Sequence, residues 1–328
     1  LILRDLCDPA DAQAVATGVL ERFRDPFELG GHELVLTVSV GIAVAPGDGA
    51  SALELLRNAD TAMYQSKHEG RNTCHYFTES MNRDIARRLA IEERLRGALG
   101  REEFRLVFQP VVDLAGRRVV GAEALLRWSS PELGEVGPSE FVPIAEQTGM
   151  IGGLGRWVLR EALSRLARWR AAGHGDLHVA VNVSPQQFRD ADFVETVAAS
   201  LRAAGLPGDA LEIEITEGVL LSGRGRAGQT LDALRGLGVR IAMDDFGTGY
   251  ASLSYLREYP FDILKIDKSF VRDITDDAGD RELVLTALRL AHALGLTPVA
   301  EGVETDDQLR LLREHGCGLA QGYLLSGP

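Results

Sequence analysis

Cysteine is scarce in this chain of 328 residues: the three present, Cys7, Cys74 and Cys317, are scattered, odd in number and never in a C-x-x-C pair. That excludes a disulfide framework and a cysteine zinc site, and points to a reducing, cytoplasmic setting. No apolar run reaches the roughly 18 residues that a membrane helix needs, and no signal-peptide pattern is present. Positive charge is also in short supply. The formal net charge of -13 excludes loose binding to duplex nucleic acid, which requires a basic face. An anionic ligand stays open if metal ions stand between it and the protein. H-E-x-x-H, G-x-S-x-G and Walker patterns are missing, which excludes the usual histidine zinc site, hydrolase elbow and nucleotide loop. One G-x-G-x-x-G match, at 223–228, lies several residues beyond its strand rather than in the first tight turn, so it does not support a dinucleotide fold. The chain begins with Leu1 rather than Met, and is expected to be a piece of a longer protein whose upstream segments could include a membrane anchor.

What remains is a composition of 45% hydrophobic and 25% charged residues, enough for one large domain or two. Residues 1–78 alternate helix and strand: a helix over 8–23, a β-branched strand over 34–45 (LVLTVSVGIAVA), and a helix over 51–67 with Leu53, Leu56, Ala59 and Met63 on its apolar face. Residues 79–103 read as a charged linker helix and its exit, with the helix over 79–99 and a sparse stripe of Met81, Ile85, Leu89 and Leu95. From 104 to 328 strands and helices alternate almost without a break. Strands are expected at 104–114, 119–128, 177–183, 211–216, 240–245, 262–267, 297–302 and 318–325. Eight strands with helical connections match an α/β fold of the (β/α)8 TIM-like barrel type, with a doubly wound open sheet as competitor.

Oxygen- and nitrogen-bearing side chains recur at the ends of these strands: Glu123, Asn182, Glu214, Glu217, the adjacent Asp244 and Asp245, Lys265, Glu301 and Gln321. One such acid is ordinarily a helix cap or half of an ion pair. Several at successive strand ends are different, because barrel closure collects them in one cup where unshared carboxylates would repel. Oxygen donors with one amide, and no cysteine or histidine, suit two Mg²⁺ or Mn²⁺ ions. Asp244 and Asp245, on opposite sides of a strand end, could each serve one ion, or the first could bridge both. Two such ions about 3.5–4 Å apart can clamp a phosphodiester and activate water. Lys265 would stand near the attacking water, and the planar fork of Arg127 suits a phosphate oxygen.

Residues 104–328 closely resemble the EAL family of cyclic di-GMP phosphodiesterases. The signature Glu123-Ala-Leu125 stands in EALLRW, and FQPVV, PSEFVPIAEQTGMI, VNVSPQQF, EITE, DDFGTGYASLSYL, LKIDKSFV, VAEGVE and AQGYLLSGP follow in family order. The resemblance implies a barrel whose first strand is antiparallel to the rest, and cleavage of cyclic di-GMP to linear 5′-pGpG with Mg²⁺ or Mn²⁺. It implies Glu123, Asn182, Glu214 and Asp244 as ligands of one ion, and Asp245 and Glu301 as groups serving the second. Lys265 matches the lysine at the nucleophilic water, and Gln321 a glutamine needed near the site. Gln109, Leu125 and Arg127 resemble substrate contacts. Glu217 and Thr248 resemble groups that anchor the loop after Asp245, which in the family contributes to a homodimer. A helix after the last strand is expected to be missing.

Residues 1–78 resemble the second half of a GGDEF, diguanylate cyclase-type domain, through TVSVGIAVAPGDG and LLRNADTAMYQSKHEGRN. The motif that names that family is absent, so synthesis of cyclic di-GMP is not expected, and half a sheet would lack its partners. Two further readings have different chemistry. One is a module that binds cyclic di-GMP without cleaving it, although such relatives typically lose signature acids that are intact here. The other is an unrelated metal barrel, such as an enolising enzyme or aldolase.

Overall fold

The computed structural model describes the chain except residues 5, 7, 9, 223–226 and 248–252, and the side chains of 68, 221, 222 and 253. The chain divides into two compact units, Leu1–Glu93 and Arg94–Pro328. Among the described residues no helix is long and apolar enough to cross a membrane.

The first unit contains α1 (Ala10–Arg22), a hairpin of β1 (Phe27–Leu29) and β2 (His32–Leu34), then β3 (Val40–Ile42), α2 (Ala52–His68) and β4 (Cys74–Tyr76). Helix α3 (Glu79–Leu95) carries the chain across the boundary between the units. The single strand expected over 34–45 is not formed; β3 is three residues long and, among the described residues, pairs only with β4, in parallel. A strand persists only where a neighbour takes up its backbone groups, and Val35 and Leu36 are exposed. Helix α2 also presents a different face from the expected one. Ser51 caps it in a reciprocal box with Glu54, but Leu53 and Leu56 are exposed, while Asn58, Thr61, Ala62 and Ser66 are buried. The reason is a backbone-to-backbone approach: a Cβ at Gly41 of β3 would lie 2.0 Å from the Ala59 carbonyl oxygen of α2. Small residues permit that approach, and large apolar ones would prevent it.

The second unit is a closed barrel. Its strands are β5 (Phe104–Asp113), β6 (Arg118–Ser130), β8 (His178–Asn182), β9 (Leu211–Thr216), β10 (Arg240–Phe246), β11 (Ile263–Ile266), β12 (Thr297–Ala300) and β13 (Leu319–Ala320), while β7 (Gly134–Val136) folds back antiparallel on the end of β6. Closure comes from β5, which runs antiparallel to both β6 and β13, while β6 and β8 to β13 are mutually parallel. The (β/α)8 expectation and its reversed first strand therefore hold. The helices α4 (Pro138–Gln147), α5 (Ile151–Ala171), α6 (Pro185–Phe188), α7 (Phe193–Ala204), α8 (Glu217–Ser222), α9 (Ala227–Gly236), α10 (Leu253–Glu258), α11 (Lys268–Arg272), α12 (Ala278–Leu294) and α13 (Asp306–Glu314) fill the connections.

Strand parity divides the barrel's chemistry. Ile213, Ile215, Ile241, Met243 and Leu264 join the apolar layer between strands and helices, together with Leu159, Leu163 and Leu166 of α5. The alternate positions Ala242, Ile263 and Val299 meet Val111 of β5 in a separate small cluster. Two residues further along the same strands, on the same face, stand Asp244, Lys265 and Glu301. The apolar cluster is thus the floor of the polar cup.

The last strand is shorter than expected, two residues rather than the run 318–325. Beyond it the chain presses against the Val303 backbone, where a Cβ at Gly322 would lie 2.2 Å from both N and O of Val303. Backbone contact replaces strand pairing there.

Candidate active site

Lys265 sits at the centre of the cup and is 2% exposed. Its Nζ lies 2.6 Å from Glu301 Oε1, 2.8 Å from Glu214 Oε1, 3.2 Å from Asp244 Oδ1 and 3.5 Å from Glu123 Oε2. Those four carboxylates come from β6, β9, β10 and the end of β12, so closure of the barrel, rather than any local segment, assembles them. Two amides complete the inner ring. Asn182 Nδ2 donates to Glu123 Oε1 at 2.7 Å. Gln321 Nε2 donates to Glu123 Oε2 at 2.7 Å and to Glu301 Oε1 at 3.2 Å. With its amide nitrogen turned to Glu123, Asn182 has its carbonyl oxygen directed to another partner.

Asp245 solves a geometric problem. Regular alternation would turn it away from Asp244. Instead it adopts φ +54°, the left-handed region, where the β10–β11 register breaks between Met243 and Phe246. The Asp245 N–H then donates to Asp244 Oδ1 at 3.0 Å. Carboxylate oxygens of Asp244, Asp245 and Glu301 come within 4.8 Å of one another, close enough to hold one cation. The two aspartates are therefore turned together at a bulge, not sent to opposite sides. A non-glycine residue in this region costs on the order of 1 kcal/mol, and such strain concentrates at functional positions.

Crowded acids over an apolar floor have displaced protonation equilibria. Burial pushes Glu301 up to about 7 against the pull of Lys265, with Asp244 adding to the rise. Burial and the neighbouring Glu123 charge raise Glu214 well above the carboxylate range. Burial and the charges of Asp244 and Asp267 raise Asp245. Burial opposes ionisation of Glu123 too, but the Lys265 charge and the Gln321 and Asn182 amides outweigh it, and its carboxyl is held low. Lys265 moves well above its ordinary value because Glu214 and Glu301 outweigh its burial.

A divalent cation fits these residues. Glu214 Oε2 and Gln321 Oε1 are buried acceptors that meet no donor, and an oxygen so placed calls for a proton or a cation. The donor set is oxygen-rich and lacks sulfur, which suits a hard ion.

The remaining expected residues are more dispersed. Gln109 faces Glu123 across the β5–β6 ladder, and its Nε2 donates to the Ser326 carbonyl at 3.5 Å. Leu125 and Arg127 follow Glu123 on the same face of β6, half-buried, and Arg127 Nη1 donates to the Leu126 carbonyl at 3.0 Å. Glu217 opens α8; its Oε1 is buried without a donor, and burial raises its carboxyl. Thr248 and residues 223–226 of the G-x-G-x-x-G match lie outside the described residues.

Two residues escaped the sequence reading. Asp267, two beyond Lys265, is buried, caps α11 by accepting from the Ser269 N–H at 2.9 Å, and bears on Asp245. Glu212, two before Glu214 and so on the same face of β9, lies towards the other end of the barrel. His178 Nε2 is 3.5 Å from Glu212 Oε2, and Arg240 Nη2 is 3.7 Å from it. Burial pushes Glu212 up to about 7 despite Arg240, and burial with the Arg240 charge lowers His178 to about 3. The distance would permit an ion pair, but burial keeps the imidazole neutral, so the contact is not one between two charges. Parity alone could have found both acids.

Comparisons with known proteins match both parts of the chain. The EAL domain model matches residues 92–328, and the model for the diguanylate cyclase, GGDEF domain, matches residues 1–73. Cyclic di-GMP phosphodiesterase NbdA of Pseudomonas aeruginosa is 42% identical over 327 residues, which is 100% of this chain and 42% of that protein. From the same organism, the bifunctional diguanylate cyclase/cyclic di-GMP phosphodiesterase MucR is 40% identical over 328 residues, 100% of this chain and 48% of its own length. The chain thus spans less than half of either relative. Among solved structures, the PaMucR phosphodiesterase in complex with c-di-GMP is 40% identical with a TM-score of 0.70, covering 73% of this chain and 97% of that one. The EAL domain of Mycobacterium smegmatis DcpA is 41% identical with a TM-score of 0.58, covering 68% and 90%. Matched in sequence and in barrel topology, the chain belongs to the EAL domain family, and its first 73 residues match part of a GGDEF domain.

Proposed function

We propose that the barrel hydrolyses one phosphodiester of cyclic di-GMP, giving linear 5′-pGpG. The observation that carries this reading is the convergence of Glu123, Glu214, Asp244 and Glu301 on Lys265 Nζ, in a chain 42% identical to a cyclic di-GMP phosphodiesterase. Glu123, Asn182, Glu214 and Asp244 would hold one Mg²⁺ or Mn²⁺ ion, and Asp245 and Glu301 a second. When bound, such ions lower the pKa of water and neutralise charge on the phosphate. Metal binding would displace the protons that burial holds on Glu214 and Glu301; five carboxylates less one ammonium then leave minus four, the charge that two such ions would balance.

The chain's own residues do the positioning. Asn182 and Gln321 fix the Glu123 carboxylate through both of its oxygens, so it cannot rotate away. Gln321 ties Glu301 to the same frame. Lys265 keeps its proton, so it acts as a fixed positive charge and hydrogen-bond donor beside the attacking water. Gln109, Leu125 and Arg127 line the way in from β5 and β6, where Arg127 would meet a phosphate oxygen. A homodimer through the barrel and the loop after Asp245, and a cytoplasmic location, belong to the same reading; light scattering of the purified chain tests the dimer.

The test is product analysis. Purified chain with Mg²⁺ or Mn²⁺ and cyclic di-GMP should yield pGpG, and Glu123→Gln should reduce turnover by about a hundredfold or more. Tight binding of cyclic di-GMP without product in saturating Mn²⁺ would instead identify a binding module.

A further inference from the structure

Lys265 meets more acceptors than it has protons. Its ammonium carries three N–H donors, and four carboxylates lie within 3.5 Å. The three shortest contacts, to Glu301, Glu214 and Asp244, use those donors, and the Asn182 and Gln321 amides serve Glu123 instead. At Glu214 the two oxygens are divided: Oε1 takes the ammonium, and Oε2 is buried without a donor. The ammonium is therefore a built-in cation that shares its carboxylates with whatever else enters the cup.

We propose that Lys265 sets the affinity of the cup for divalent cations, keeping it low enough that the ions exchange. This rests on the metal-dependent reading above. The physical argument is Coulombic. A fixed positive charge in a low-dielectric pocket weakens the binding of a second cation to the same carboxylates. Replacing it with a neutral side chain removes that repulsion from Glu123, Glu214, Asp244 and Glu301, so a divalent ion binds more tightly. Other buried lysines do not complicate the test. The sequence has three lysines, Lys67, Lys265 and Lys268, and of these only Lys265 is buried.

Two measurements test it. Calorimetric titration with Mn²⁺ at about pH 8.5 should show Lys265→Met binding about tenfold more tightly than the unsubstituted chain. Asp244→Asn should bind more weakly than either. Because Lys265→Met could fold poorly, the unsubstituted chain labelled with ¹⁵N-lysine is titrated with Mg²⁺ as well. The slowly exchanging Nζ resonance should shift along the same isotherm as the calorimetric binding. Equal or weaker Mn²⁺ affinity in Lys265→Met, or an Nζ resonance unmoved at Mg²⁺ saturation, overturns the proposal. If Asp244→Asn still loses affinity in that case, the metal-dependent reading survives and only the role of Lys265 falls. If neither ion binds, or Asp244→Asn binds as the unsubstituted chain does, both fall.

Discussion

Glu212 offers a test of the electrostatics that is independent of catalysis. Glu212 is 4% exposed, and its carboxyl is pushed from an ordinary 4.5 to about 7. A raised folded pKa means that the proton is held more tightly in the native state. The contribution to stability is therefore complete below about pH 4.5 and is lost as pH rises through about 7. Between pH 5 and 8.5 a shift of this size corresponds to about 2–3 kcal/mol, from the free energy per pH unit over the window in which the two states differ. Glu212→Gln keeps the shape and cannot ionise, so it should not lose that increment. His178 carries the opposite slope: its folded value of about 3 costs stability only as pH falls from its ordinary 6.5. It is present in both proteins and largely cancels in the difference. Urea denaturation at the two pH values should show the unsubstituted chain losing about 2–3 kcal/mol more than Glu212→Gln on going to pH 8.5, with a difference in Tm change of roughly 5–10 °C. Parallel pH profiles for the two proteins would refute the reasoning and put Glu212 in contact with water.

Other outcomes follow from single contacts. Gly121→Ala places a Cβ 2.4 Å from the buried His178 ring, and should cost about 1–3 kcal/mol in denaturant unfolding. Gln321→Leu removes the N–H group shared by Glu123 and Glu301; turnover should fall about 10–100-fold with little change in far-UV circular dichroism, since a hydrogen bond to a charged group contributes about 1.5–3 kcal/mol. The Cys317 thiol, buried and pushed up to about 12, should resist alkylation at neutral pH until the chain unfolds, as peptide mass mapping would show.

Much of the site was legible because a strand's parity survives into the fold. Asp244, Lys265 and Glu301 each sit two residues beyond an apolar floor residue, a spacing visible in IAMDD, ILKID and PVAEG. The barrel class followed from the count and rhythm of strands. Closure was another matter. That Lys265 meets four carboxylates depends on the register of non-adjacent strands, which no local window contains. Asp245 was misplaced because its positive φ departs from strand geometry. In the first unit, the expected strand over 34–45 failed because β propensity is realised only against a partner. The buried face of α2 was missed because small polar residues, not leucines, permit its close approach to β3.

The reversal of β5 has a consequence for how the chain enters the barrel. Phe104, where β5 begins, pairs with Trp128 near the end of β6, and Phe104, Trp128 and Phe141 form an aromatic cluster with centroids 5.7 Å apart. The polypeptide therefore joins the barrel at the rim that bears the carboxylates, whereas a parallel first strand would have begun at the opposite end. The backbone before residue 104 leads directly into the ladder that holds Gln109 opposite Glu123.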